Sequence, residues 1–402
     1  IGLLVVLVVY NLLAVAEGYR RSTTGAADAQ ITGLLSQFTT GRDAANGGNG
    51  ISASIAELVN CDQDEAGVAT AVLRPFSVLV TDSGAANASD SFISWQSGSP
   101  HVVWPVEVRP LDAAPAATVA AGADITVQSP NGFSTPGGVS LPTATVPYWI
   151  VIMEGGGNRC KLLQVTSSTA PDVAGVVALT QGAGATTIDY SAEEPHARVL
   201  NLGPVTNATR IRYDVVNGSL NTTDCMNRDW LCTGGTRNPV AQNIVLMKVQ
   251  YGIDTSNPPD DVVDCWSAAV SNACASGLDV SATHLTDTAV TSATVQPVAN
   301  RILAVRIGVV VRSDEADLKD PTLTAAGVTV GGNTYPARPD LVLFNCAAND
   351  NTCQGRVVVP KGAPASTGSS TCAPAIVCDH WRYRAYETIV PLRNAIYAAT
   401  HP

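Results

Sequence analysis

A chain of 402 residues with a formal charge of −11 and only 14% charged residues is long enough for a large core, or for two or three domains. It offers no basic face of the kind that phosphate binding requires, so nucleic acid is not expected as a partner of the chain as a whole. The 34 glycines and 24 prolines, with abundant Ala, Ser, Thr and Val, give the composition of a turn-rich β protein that matures outside the cell.

The first predicted element is a helix. Its apolar run, Ile1 to Ala16, rises 1.5 Å per residue and so reaches roughly 24 Å, short of the ~20 residues that a spanning helix needs. Further residues upstream are therefore expected. No Lys or Arg precedes the run and no small-residue cleavage site follows it, which argues against a signal peptide. After Glu17-Gly18-Tyr19-Arg20-Arg21 the pattern becomes amphipathic, with Ala27, Ile31, Leu34, Leu35 and Phe38 at helical spacing, and that stripe is expected to face a globular partner. The glycines of segment 41–50 end the helix. An ordinary single-pass anchor is the plainer reading of the run, but an anchor usually leads into a flexible linker, whereas here amphipathic helix follows directly.

From about residue 50 the chain reads as strands punctuated by turns. Candidates are Val68–Val80, Val102–Val108, Ala123–Gln128, Tyr148–Met153, Leu162–Ser167, Arg210–Val216, Leu303–Arg312, Gly327–Val330 and Arg382–Val390. Between Leu303 and Arg312 the alternation sets Val305, Ile307, Val309 and Val311 against Arg306 and Arg312, as in a half-buried antiparallel strand. Around Val240, Ile244 and Met247 the period suits a short helix that feeds a strand at Val249, Tyr251 and Ile253. Segments 111–147 and 361–373, rich in Ala, Thr, Pro, Gly and Ser, read as surface excursions. No repeat of 20–50 residues is evident.

Ten cysteines place the chain outside a reducing cytosol. Eight fall into close pairs, Cys225/Cys232, Cys265/Cys274, Cys346/Cys353 and Cys372/Cys378, leaving Cys61 and Cys160 to clasp the first part of the domain; spacing alone leaves the connectivity open. Neither zinc knuckles nor a CxxCH haem site is present. His101, His196, His284, His380 and His401 are scattered, with no HExxH and no nucleophile motif, so catalysis is not expected, and neither is a cofactor. Segment 313–317 reads as a solvated turn and Gly155-Gly156-Gly157 as a hairpin turn rather than a phosphate cradle. Asp254, Asn257, Asp260 and Asp261 offer oxygens at calcium-like spacing without an EF-hand pattern, which reads as a charged loop. Sequons stand at Asn87, Asn207, Asn217 and Asn221.

Four places together resemble a type IV pilin, in particular a minor pilin of the PilW type, a relative of the large minor pseudopilins of type II secretion. The opening Ile1-Gly2-Leu3-Leu4-Val5-Val6-Leu7 is similar to the inner part of a pilin helix. Asn243 to Asp254 is similar to the family's helix-to-strand segment, Ala304 to Ser313 to its central strand, and Tyr386 to Asn394 to its closing strand. Family members begin with a basic leader, a Gly before the cleavage point, an N-methylated aromatic residue and a nearby Glu; the sequence starts downstream of all of these, so that Glu is not assigned here. The domain is also larger than the family's usual one.

The resemblance implies an α+β fold of the type IV pilin kind, with a long N-terminal hydrophobic helix (1–45) packed on a large antiparallel β-rich globular domain (46–402). It implies a non-enzymatic subunit of a pilus or fimbrium, held at the inner membrane before assembly and partnered by other pilin subunits. The filament core would take Ile1, Leu3, Leu4, Val5, Val6, Leu7, Val8, Val9, Tyr10, Leu12 and Leu13. Gly18 is read as a point of local unwinding during assembly and Gly33 as a point of close helix packing. A minor pseudopilin of type II secretion and an anchored periplasmic adhesin are the other readings.

Overall fold

The structure is a computed structural model. It describes residues 2–51, 76–98, 105–108, 118–133, 142, 145–154, 160–182, 187–189, 196–226, 232, 234–268, 279–282, 285, 298–314, 327–336, 338–345, 356–359 and 381–392. Helix α1 (Gly2–Asn46) leads, followed by β1 (Val78–Thr81) and β2 (Ser91–Gln96). Next come β3 (Val106–Glu107), β4 (Thr118–Val119), β5 (Ile125–Val127), β6 (Tyr148–Met153), β7 (Cys160–Ser168), β8 (Val177–Gln181), β9 (Ile188–Asp189) and β10 (Arg198–Pro204). The chain continues through β11 (Thr209–Val216), β12 (Ser219–Asp224), β13 (Asn238–Gln242), β14 (Ile244–Ile253), β15 (Cys265–Ser267) and β16 (Ile302–Arg312). The last strands are β17 (Val328–Val330), β18 (Asn333–Tyr335), β19 (Leu341–Leu343), β20 (Val357–Val359) and β21 (Tyr383–Pro391).

This overturns the expected α+β class. The described chain is mostly β, and among the described residues no helix is long and apolar enough to cross a membrane. The physical reason is that α1 gives the core only small residues such as Ala29 and Ala44. The bulk of the core is made by sheets burying one another.

Three sheets carry the fold. A central four-stranded sheet runs β15-β14-β16-β21 and a five-stranded sheet runs β1-β2-β11-β12-β13, each antiparallel throughout. One core joins the inner faces of these two sheets to the second half of α1 through Phe92, Tyr213, Met247, Val249, Val305 and Val309. The third sheet, β3-β10-β6-β7-β8-β5, meets its own first strand, because Val108 bridges Val127 and the Gln128 amide donates to the Glu107 carbonyl at 2.9 Å. Closure removes both edges and makes a small barrel filled by Ile125, Phe133, Ile150, Leu163, Val177 and Val199.

The barrel is an insertion between spatial neighbours. Gln96 of β2 pairs with Thr209 of β11, so the intervening chain leaves the five-stranded sheet and returns to the adjacent position. Its outer wall, with Trp149, Val151 and Leu202, packs on Trp95, Ile51 and Met226. Segment 111–147, expected as a surface excursion, thus supplies β5 and the fully buried Phe133 to a core.

Two more expectations change. The helix anticipated before Val249 is strand: β13 ends at Gln242, Asn243 takes φ 60°, and Ile244 already starts β14. That β14 is buried along its whole length explains the misleading period, since a strand covered on both faces need not alternate. β16 is likewise buried on both faces rather than half-buried. Val245, Leu246, Val310, Leu343 and Phe344 cover the face away from α1.

Candidate assembly surface

Helix α1 meets the domain with its small residues. Ala29, Ser36, Thr40 and Ala44 are buried at helical spacing, and Gly25 and Gly33 lie on the same face. The bulk comes from the sheet: Tyr386 lies over Gly33, and Val390 sits 3.7 Å from the position of a Gly41 β-carbon. Buried Ser36 and Thr40 cost little, because their hydroxyls donate to the Thr32 and Ser36 carbonyls, each at 2.7 Å.

The C-terminal end of α1 is fixed by polar contacts. The Tyr213 hydroxyl donates to Asp43 Oδ2 at 2.6 Å and the Ser94 hydroxyl donates to the Asp43 carbonyl at 2.6 Å. Arg42 Nε donates to the other Asp43 oxygen at 2.7 Å. Burial, and then the Asp43 hydrogen bond and charge, push the Tyr213 hydroxyl above its ordinary range, so it stays a donor. Past Asn46, Gly48 takes φ 80° and donates to the Trp95 carbonyl at 2.8 Å, which ends the helix against β2.

Because small residues face the sheet, the large ones face water. Ala27, Ile31, Leu34, Leu35 and Phe38, expected to pack on the domain, are all exposed, Phe38 at 67%. Sequence reasoning took the bulky stripe for the inner face; the signal for the true one was the recurrence of Gly, Ala, Ser and Thr on the opposite side. The opening run is exposed too: Leu3 at 83% and Tyr10 at 72%, with Val6, Leu7, Val8, Val9, Leu12 and Leu13. Ile1 and the side chains of Leu4 and Val5 lie outside the described residues. The helix is continuous through Gly18 and Gly33.

Among the described side chains of α1, none between Leu3 and Leu13 or between Ile31 and Phe38 is charged. Glu17 and Arg20 form an ion pair at 2.9 Å one turn apart, a solvated contact of small energetic weight. Two apolar stretches, Leu3 to Leu13 and Ile31 to Phe38, expose far more hydrophobic side chain than scattered surface residues explain.

Exchanging Gly33 for alanine tests the seating of the helix. The new methyl overlaps the Tyr386 ring, so about 1–3 kcal/mol of overpacking outweighs the ~1 kcal/mol gained in helix propensity. A loss of up to about 2 kcal/mol in urea unfolding is expected, whereas a more stable variant would mean that the helix is not seated on Tyr386.

The other sequence candidates separate cleanly. A disulfide joins Cys225 to Cys232. Cys160 and Cys265 are also disulfide-bonded. Cys61, Cys274, Cys346, Cys353, Cys372 and Cys378 lie outside the described residues, as do Gly155-Gly156-Gly157 and segment 361–373. Of the four sequons, those at Asn87, Asn207 and Asn217 are exposed, but Asn221 is buried in β12 and unavailable to a glycan.

Within the acidic loop, Asp254, Asp260 and Asp264 bring oxygens within 4.8 Å of one another, while Asp261 does not join them. The loop's own amides occupy the buried member: Asp254 accepts from Ser256, Asp260 and Asp261 at 2.9, 2.8 and 2.9 Å. Asp264 accepts from the Thr255 amide at 2.9 Å and from the Thr255 and Ser256 hydroxyls at 3.2 and 3.0 Å. These bonds hold its carboxyl below the ordinary carboxylate range, the Thr255 amide contributing most. A depressed carboxylate stabilises the fold above its unfolded pKa and loses that contribution as pH falls through the folded value. Amide exchange at Thr255 is therefore expected to stay protected down through the ordinary carboxylate range and to open only below it, and Asp264→Ala, which removes the acceptor, to open it at neutral pH. Loss of protection already above that range would refute the assignment.

Sequence reasoning missed a buried polar row on the outer face of the central sheet. Lys248 pairs with Asp90 at 2.8 Å, and Gln250 accepts from Arg306 Nε at 2.7 Å. The Arg306 guanidinium lies over Phe344 at 4.3 Å and Trp266 at 4.8 Å, and burial brings its pKa down to about 10 despite the opposing pull of Glu387. The available signal was a Lys and a Gln set two apart inside the apolar run Ile244–Ile253.

The region holding β11 to β21 is where comparison with known proteins finds a likeness. A family model described as Type IV Pilus-assembly protein W matches residues 212–394. The match supports a type IV pilus-related protein, involved in type IV pilus assembly and with a pilus-associated place in the cell envelope. Both the barrel and α1 lie outside the matched span. No curated protein and no solved structure matches the chain.

Proposed function

We propose that this chain is a non-enzymatic structural subunit of an extracellular type IV pilus-like filament, in which the exposed apolar strip of α1 is buried against α1 of neighbouring copies. The observation that carries this reading is the exposed apolar run from Leu3 to Leu13 together with the outward stripe Ile31, Leu34, Leu35 and Phe38, on a helix whose second half is seated on the sheet by its small residues. Burying such side chains is worth about 1.5–3 kcal/mol each, enough for helix association to drive assembly. The likeness to a pilus-assembly family supports the setting. The large barrel insertion, set apart from α1, favours a minor or tip position over a densely repeated one.

Shearing fibres from intact cells and identifying their subunits by mass spectrometry tests this. The account expects the chain in the sheared fraction. Its confinement to the membrane fraction, with fibres free of it at the detection limit of a spiked standard, would overturn the filament role.

A further inference from the structure

On the face of the central sheet away from α1, a cleft of roughly 310 Å3 opens between the β1–β2 loop, the edge strand β15 and β20. Its floor is Lys248 and Gln250, and its walls include Trp266, Ala268, Val357 and Val358. Asp82 and Arg356 stand at its rim.

The loop over this floor is rigidly built. Asp90 Oδ1 accepts from the Ser83 amide at 3.0 Å and from the Ser83 hydroxyl at 2.9 Å, and Asp90 Oδ2 accepts from the Val249 amide at 3.0 Å. Asp82 Oδ1 accepts from the Gly84 amide at 3.1 Å. Lys248 donates to Ser83 Oγ at 2.9 Å and to Asp90 at 2.8 Å, while its next acceptor, Asp82, stands at 3.9 Å, beyond hydrogen-bond distance. An ammonium has three N–H groups, so one remains for an occupant of the cleft. The same contacts tie the β1–β2 loop to β14, so the floor of the cleft is held in place by the fold.

The cleft's chemistry narrows its ligand. Two carboxylates and two cations line it and cancel in charge, so neither an anion nor a cation is favoured as a whole. Acceptors and donors stand together at the rim, beside an apolar wall of Val357, Val358 and the indole edge held by Arg306. A ligand with hydroxyls on its edges, apolar C–H faces and no net charge matches this arrangement, and the volume suits one small molecule. From this geometry we infer that the cleft is a binding site for a neutral saccharide. Asp82 accepts from adjacent sugar hydroxyls, Lys248 and Arg356 donate to hydroxyl or ring oxygens, and Val357 and Val358 cover a C–H face. The site is independent of the filament role, since it lies on the opposite face of the sheet from α1.

Saturation-transfer NMR on the full chain with maltose, cellobiose and N,N′-diacetylchitobiose tests the inference. At least one is expected to receive saturation, and Asp82→Asn and Arg356→Ala are each expected to weaken its binding about tenfold or more, the loss of one charge-assisted hydrogen bond. Both side chains sit at the rim, and an unchanged thermal midpoint verifies that each variant is folded. The assignment is overturned if none of the three sugars receives saturation at about 10 mM, a concentration on the order of weak single-site affinities. It is equally overturned if both variants bind like the parent, or if glutamate displaces the sugar completely at equal concentration, which would make the cleft an anion site.

Discussion

Asp90→Ala is expected to lower the free energy of unfolding by about 3–5 kcal/mol, the cost of leaving a buried ammonium without its counter-charge. Asp90 and Lys248 are 2% and 5% exposed at the side chain and 2.8 Å apart. The carboxylate also takes the amides of Ser83 and Val249, so its loss strands donors as well as a charge. Burial raises the Asp90 pKa against the opposing pull of Lys248, as for a carboxylate taken out of water. Asp90→Asn keeps an acceptor oxygen for one of those amides and is expected to cost distinctly less. Urea unfolding of the three proteins measures both differences, and an alanine variant within about 1 kcal/mol of the parent would mean that the pair is hydrated rather than buried.

Placing a charge in the outward stripe of α1 has the largest functional effect anticipated. Leu13→Asp and Leu34→Asp put carboxylates where helix is to meet helix, and a carboxylate forced into an apolar contact without a partner costs several kcal/mol. Since Leu13 and Leu34 are 64% and 53% exposed, neither substitution disturbs the domain. Unfolding free energies are therefore expected to stay within about 0.5 kcal/mol of the parent, while incorporation into sheared fibres is lost. Variants that still enter fibres at the parental level would remove the helix from the assembly contact.

Those contrasts show which parts of the molecule were legible in the sequence. Strands with a clear apolar run and turn residues nearby, such as Tyr148–Met153, were found to the residue, because patterning and punctuation act locally. The Ile244–Ile253 strand was misread at its start because burial on both faces erased its period. The barrel was not legible, since closure depends on Val108 meeting Val127, a pairing that no local pattern encodes. Nor was the direction of α1. An amphipathic pattern is ordinarily read with its bulky face turned inward, whereas here Tyr386 fills the groove over Gly33 and leaves the bulky face outward. The polar row of Lys248, Gln250 and Arg306 was hidden for a related reason: each side chain is ordinary alone, and only the pairing of β14 with β16 sets them side by side.

The central claim is that the outward face of α1 is a contact between copies of the chain. A photoreactive benzoylphenylalanine at Leu13, which is 64% exposed, tests it most directly when irradiated in cells before fibres are sheared. Adducts joining Leu13 to the first helix of a second copy, recovered from the sheared fraction and sequenced by mass spectrometry, are the result expected. Adducts exclusively to lipid or to unrelated proteins, from a variant that assembles normally, would contradict it.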